Sequence, residues 1–299
     1  MRKDINLSSM KTFTSRRVFI DKFVKFIIVL LSGISIVPLL IILYQLIDRG
    51  IKQINLSFFT QNAPDTLEAM EAISRNEIIP GGIANGITGS FMIVGMAALI
   101  AIPLGVLVGI YLSESKKSKF AMIVKFMVDL LQGVPSIVLG ILGYIWIVTP
   151  VTRGFSALAG SMSLSIMMLP SIVKSTEETL NMIPETLKEA ALSLGVPYYK
   201  AMFKVILPTG ISGIITGIML GISRIIGETA PLLLTTLGSS AINFNPTKPT
   251  SSIPTLIWEF YNDPNLMDMI WSASLFLVSV VFILNLIAKG VSKIWKVQF

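Results

Sequence analysis

The sequence predicts an all-α integral membrane protein with six transmembrane helices, and three observations carry that prediction. The chain of 299 residues is 53% hydrophobic and only 14% charged, against roughly 25% charged in an ordinary soluble domain. Six uncharged runs, 26–47, 78–113, 130–152, 154–173, 205–223 and 269–288, reach the length of about 20 residues that a helix needs to cross a bilayer. The basic residues gather at the two ends and in short loops, the distribution that orients a membrane protein with its positive segments inside.

Taken in order, residues 1–25 form a cytoplasmic tail with seven basic residues (Arg2, Lys3, Lys11, Arg16, Arg17, Lys22 and Lys25) against Asp4 and Asp21. The run 26–47 is the first transmembrane helix. It is too long for the apolar region of a signal peptide and has no small-residue cleavage site, so it is expected to be retained. Residues 48–77 form an external loop with five acids against three bases. Residues 78–290 form the membrane core. Its first run exceeds one span, so Pro80-Gly81-Gly82 is expected to precede the helix. The loop 114–119 carries one acid and three bases and falls inside. The external stretch 238–268 contains Ile253–Tyr261 (IPTLIWEFY), which reads as a short helix at the outer interface, where Trp and Tyr concentrate. A basic tail, 291–299, returns to the cytoplasm. Both termini inside require an even number of spans, which six satisfies. The net charge of +7 is explained by this orientation and calls for no nucleic acid.

The fifth run continues past one charged pair to about Leu237 and carries Gly213, Gly217 and Gly221 at four-residue spacing. They share one helix face. Lipid gives little hydrophobic drive for helix association, so such a face is expected to meet another helix by close backbone approach.

The chain has no Cys and no His, which removes disulfides, thiol nucleophiles, imidazole bases and Cys/His metal sites. No Gly is followed by Lys, so the GxxxxGK[ST] phosphate loop is absent. No cofactor is expected on this chain, and if ATP drives it, the ATPase is another polypeptide. A membrane enzyme would have almost nothing to work with. An ion-coupled secondary carrier would need inverted repeats, and no internal repeat is evident.

Arg224 and Glu228 lie four residues apart in apolar sequence, on one face of a helix if the helix continues. Charges at membrane depth are costly and face protein or a water-filled path. An Arg there presents a planar fork of donors suited to carboxylate or phosphate oxygens, with Glu228 neutralising it between anions. A buried pair that merely orients helices fits the spacing equally well. Pro231 is expected to kink the helix just past Thr229-Ala230.

Residues 189–208 read EAALSLGVPYYKAMFKVILP. Glu189-Ala190-Ala191, then Gly195 after three residues, then Val205-x-Leu207-Pro208 after nine more, resembles the EAA loop of ABC importer permeases. The departure is Val205, where Ile is usual. Pro184 suits a first helical turn, Leu187, Ala190, Ala191 and Leu194 recur at helical spacing, Gly195 fits a helix stop, and Pro197 opens a second helix. An amphipathic helix lying on the bilayer is the plainer alternative. The run Arg224-x-x-Gly227-Glu228-Thr229-Ala230-Pro231-Leu232-Leu233, with Leu169-Pro170, Thr176-Glu177-Glu178 and Gly133-Val134-Pro135-Ser136, resembles phosphate ABC transporter permeases of the PstA type. The likeness runs from about residue 78 to the end.

That resemblance implies a type I ABC importer permease fold with a cytoplasmic helix-turn-helix at 181–208. It further implies a second homologous permease completing the pore, an ATPase dimer holding the ATP, and an external phosphate-binding protein. Glu189, Ala190, Ala191, Gly195, Leu207 and Pro208 would dock the ATPase. Arg224, Glu228, Thr229 and Lys174 would line the substrate path. Lys174 maps to a position usually held by Arg, and a point charge replaces a fork there. A same-fold permease for sulfate or molybdate remains the nearest alternative.

Overall fold

The computed structural model describes residues 7–75 and 77–294. Residues 1–49 and 50–299 form separate compact units. In the first, α1 spans Leu7–Gly50, a single helix of 44 residues, about 66 Å at 1.5 Å per residue. The expected tail 1–25 is therefore helical from Leu7 on. No Gly or Pro falls between Leu7 and Ser32, so nothing in that stretch ends the helix. Residues 1–6 and 295–299, parts of the two expected tails, lie outside the described residues.

In the second unit the external loop holds two short helices, α2 (Leu56–Thr60) and α3 (Thr66–Ser74). Then follow α4 (Ala84–Glu114), α5 (Lys119–Gly133), α6 (Ser136–Gly143) with a π-helical continuation over Tyr144–Thr152, and α7 (Ala157–Asn181). The helix-turn-helix is α8 (Glu185–Ser193) and α9 (Tyr198–Ala201), which continues through π-helical Met202–Ile206 into α10 (Leu207–Thr209). The remainder is α11 (Ile211–Ile225), α12 (Ala230–Leu233), α13 (Ile253–Tyr261) and α14 (Met267–Ile294). As the sequence predicts, α4 begins after Pro80-Gly81-Gly82, and IPTLIWEFY is a helix.

Among the described residues, four helices are long and apolar enough to cross a membrane, and two bent pairs bring the total to six if each is one span. The third apolar run is one of these pairs rather than a single helix. Between α5 and α6 the chain turns by 105°, because Val134 precedes a proline and is held extended (φ −71, ψ 127). The second bend, 66°, separates the α9–α10 arm from α11, just after Pro208.

α7 is the centre of the bundle, packed along α4 on one side and α11 on another. Gly105 and Gly109 of α4 face Ile172 and Thr176, so α4 and α7 run parallel. The predicted glycine face of α11 meets α7 within this chain. Gly213 faces Thr179, Gly217 faces Ser175, and Gly221 faces Met168, an antiparallel order. A Cβ added at Gly109 would sit 2.5 Å from Thr176 Cβ, closer than any packing allows. Ser175 Oγ donates to the Gly213 carbonyl at 3.1 Å across the same seam. The core between these helices is Ile93, Ala97 and Ala101 with Leu164, Met168, Ile172 and Ile225. Large apolar side chains such as Leu99, Phe91 and Phe282 point outward, where lipid would cover them. At one end Phe58, Ile83, Leu256, Phe260 and Met269 close a second cluster over the α2–α3 segment. At the other end the 115–118 turn and the α8–α9 hairpin lie together, joined through Glu114 and Lys188.

Candidate functional site

The hairpin is built by local sequence. Pro184 (φ −59, ψ 133) caps α8, and Glu185 occupies its first turn, where a carboxylate complements the helix dipole. The helix stops in a Schellman turn. Gly195 is left-handed (φ +76), its N–H donates to the Leu192 carbonyl at 2.9 Å, and the Val196 N–H donates to the Ala191 carbonyl at 3.3 Å. A Cβ at Gly195 would touch nothing within 4 Å, so glycine is required for its backbone conformation and not for space. Pro197 then caps α9.

The six residues expected to dock the ATPase do not form one surface. Glu189, Ala190 and Gly195 are exposed at the tip, with Leu194 exposed beside them. Ala191 is buried. Leu207 belongs to the apolar cluster of Leu180, Met202, Ile206 and Ile214 that roots the return arm, and Pro208 sits at the bend below it. Ala191 and Leu207 hold the hairpin's shape, while Glu189, Ala190 and Gly195 at the tip and Pro208 at the bend are exposed.

Arg224 and Glu228 are not on one continuous helix. α11 ends at Ile225, and Glu228 follows a turn in which its N–H donates to the Ile225 carbonyl at 3.3 Å. Arg224 is exposed, Glu228 is partly buried, and among the described residues no ion pair within 4.0 Å joins them. Thr229 caps α12, and Pro231 begins that helix instead of kinking α11. The break comes earlier than the sequence reading puts it: Gly227 is a weak helix former, and Pro231 has no N–H to bond the Gly227 carbonyl in a continued helix.

Lys174 is not beside Arg224. Arg224 lies seven residues beyond Gly217, whose partner on α7 is Ser175, and seven residues are about 10 Å of helix. Lys174 Nζ is instead 2.6 Å from Asp129 Oδ1 and 2.8 Å from Gln132 Oε1, both on α5. Lys125 Nζ pairs with Glu177 Oε1 at 2.6 Å on the same stripe. At the hairpin end, the Glu114 carboxylate accepts from both Lys188 of α8 and the Tyr198 hydroxyl of α9. Sequence reasoning missed Asp129, Gln132 and Glu114. One trace was present: Glu114 is the sole acid in a short basic loop. Among the described residues no group of three or more Asp or Glu could hold a metal ion.

A bundle of four to six apolar spans, with a break after Arg224 and a glycine-stopped hairpin at one end, has the architecture of a multi-pass membrane permease. Residues 101–295 match the family described as binding-protein-dependent transport system inner membrane component. The chain belongs to that family. It is 35% identical to a Yersinia pestis protein named "Phosphate transport system permease protein PstA" over 251 residues, 83% of this chain and 81% of the relative. A Haemophilus influenzae protein of the same name is 33% identical over 270 residues, 87% and 92% of the two chains. Among solved structures, the fold matches a chain of the bacterial alginate ABC transporter (TM-score 0.62, 13% identity, 95% of this chain and 99% of that one). It also matches a chain of the inward-facing MetNI methionine ABC transporter (TM-score 0.59, 17% identity, 69% and 94%). These identities speak to the fold, a type I ABC importer permease.

Proposed function

We propose that this chain is the membrane permease subunit of an ATP-driven importer of inorganic phosphate. The observation that carries the substrate is the pair of phosphate-system relatives, matched at 33–35% identity over more than four-fifths of each chain. The chain supplies half of the pore beside a second homologous permease. An ATPase dimer holds the ATP and docks on the hairpin tip at Glu189, Ala190 and Gly195, and an external binding protein delivers phosphate. Both termini are cytoplasmic. Phosphate passes chemically unchanged while the bundle alternates between outward and inward access.

Arg224 serves the anion path, with Glu228 and Thr229 at the helix break beside it. An exposed guanidinium at the end of an apolar helix supports this, since membrane-depth cations are expensive unless they meet protein or passing anions. Lys174, tied to α5, fits a structural post better than a path residue. Deleting the native gene and supplying this chain tests the substrate: phosphate uptake should return and sulfate uptake should not. The reverse pattern would reassign it. Arg224→Gln should abolish uptake in assembled complexes, and Arg224→Gln/Glu228→Gln should stay inactive. Near wild-type uptake in the double variant would reduce the two residues to a structural pair.

A further inference from the structure

We propose that Glu114 is the strut through which the hairpin moves α4, and so a positioning residue for transport. The inference rests on the importer reading above. Glu114 is the last residue of α4. A carboxylate at a helix C-terminus is electrostatically unfavourable, so its presence there calls for a cation. Lys188, on α8 immediately before Glu189, supplies it. The same carboxylate accepts from the Tyr198 hydroxyl, the first residue of α9. Lys188 Nζ lies 3.3 Å from that hydroxyl and 4.8 Å from the centre of its ring. One carboxylate thus holds both arms of the hairpin, on either side of the Gly195 turn.

The surroundings make this contact mechanical. Next to it opens a cleft of about 430 Å³ between the Ser115–Lys117 turn and the start of α8 at Pro184 and Glu185. Interiors packed to native density transmit displacement, and a cleft does not. A push on the hairpin tip would swing α8 into this space and be lost unless something rigid bridges it. Glu114 bridges it. An apolar contact lies deeper: Val106 and Ile110 of α4 and Leu187 of α8 all pack against the cluster of Leu180, Met202, Ile206 and Ile214. That apolar contact includes Leu187 of α8 and roots the base of the hairpin, while the side of α8 facing the cleft meets α4 through the Lys188–Glu114 pair. From Glu114, motion passes along α4 to α7, because Gly105 and Gly109 sit hard against Ile172 and Thr176. A partly exposed ion pair adds little to folding stability, so the strut can be removed without unfolding the chain.

The test uses the whole complex in proteoliposomes. The chain has no cysteine, so Leu104→Cys on the outward face of α4 reports its surroundings by labelling rate. The comparison is between nucleotide-free and vanadate-trapped complexes. We expect a nucleotide-dependent change with native Glu114 and at least a fivefold smaller one with Glu114→Gln. Basal ATP hydrolysis should be preserved, and phosphate moved per ATP should fall at least fivefold. Glu114→Lys/Lys188→Glu should recover more than half of both. A full labelling change in Glu114→Gln, or none in the native complex, overturns the strut. A native complex that shows the change but moves no phosphate leaves the strut standing and refutes the substrate reading.

Discussion

Two faces of α7 are joined to their neighbours by opposite means. Toward α4 and α11 the contact is made of glycines against Ile172, Thr176, Ser175 and Thr179, with no charge between the helices. Toward α5 it is made of charges, Lys125 to Glu177 and Lys174 to Asp129, and those side chains are one-tenth to one-half exposed. The first seam works by close approach, so it is all or nothing: any added atom collides with backbone or a stiff side chain. The second works by attraction across a partly open boundary, where each pair contributes roughly 1 kcal/mol or less. One helix can therefore be a fixed axis on one side and a releasable latch on the other. Of these contacts of α7, the α5 seam is where separation costs least.

The glycine seam should give the largest effect when broken. Gly217→Leu drives a side chain into Ser175, and overpacking where backbone must yield costs about 3 kcal/mol. Membrane abundance of the folded chain and its melting temperature in detergent should both fall sharply. A normal Gly217→Leu chain would mean that α7 and α11 are not tightly apposed. Gly195→Ala comes next and sets the hairpin apart from both seams. It meets no neighbour, so its cost, about 1 kcal/mol of left-handed strain, falls on the turn alone. The chain should insert normally yet retain less ATPase in pull-downs, and Gly195→Asp should retain least.

The charged seam should respond weakly. Asp129→Asn should lower stability by about 0.5 kcal/mol and erase the salt dependence of whatever rate limits opening. Stability loss as large as that of Gly217→Leu would make the two seams equivalent and end the contrast. The smallest effect lies outside the membrane, where Thr66 donates to Asp263 Oδ2 at 2.6 Å. That hydrogen bond, with those from Asn265, holds the Asp263 carboxyl below its ordinary range. A lowered folded value means the contribution is complete above about pH 4 and is lost as pH falls through the lowered value. Asp263→Asn should lower the melting temperature slightly at neutral pH and leave it unchanged in acid, flattening the acid limb of the profile.

What could be read in advance follows the same division. The apolar runs, the Gly195 stop, the Pro184 and Pro197 starts and the α11 glycine stripe are all local, written in neighbours within a few turns. The contact partner of that stripe was not local, and neither were the ion pairs. Lys174 meets Asp129 across 45 positions, Lys125 meets Glu177 across 52, and Glu114 meets Lys188 across 74. Spacing rules reach neither. The reading that placed Arg224 and Glu228 on one helix failed for another reason. It applied helical periodicity across Gly227, where the chain leaves the helix. The bend at Val134-Pro135 was written in the sequence as a residue before proline, and hydropathy alone passes over it.

α7 is the least apolar of the four unbroken candidate spans, and 67% of its apolar window is buried inside the protein, against 28% for α4 and 11% for α14. Its serines, Ser161, Ser163 and Ser165, are buried among other helices. A segment of that composition partitions weakly from the insertion channel into lipid by itself. During synthesis it must wait until α4, already in place, offers it a protein surface, and it becomes secure only when α11 has followed. The order of assembly is thus written into the helix that ends up at the centre. A chain halted between α7 and α11 would leave that helix half-clothed in the bilayer and exposed to quality-control proteases.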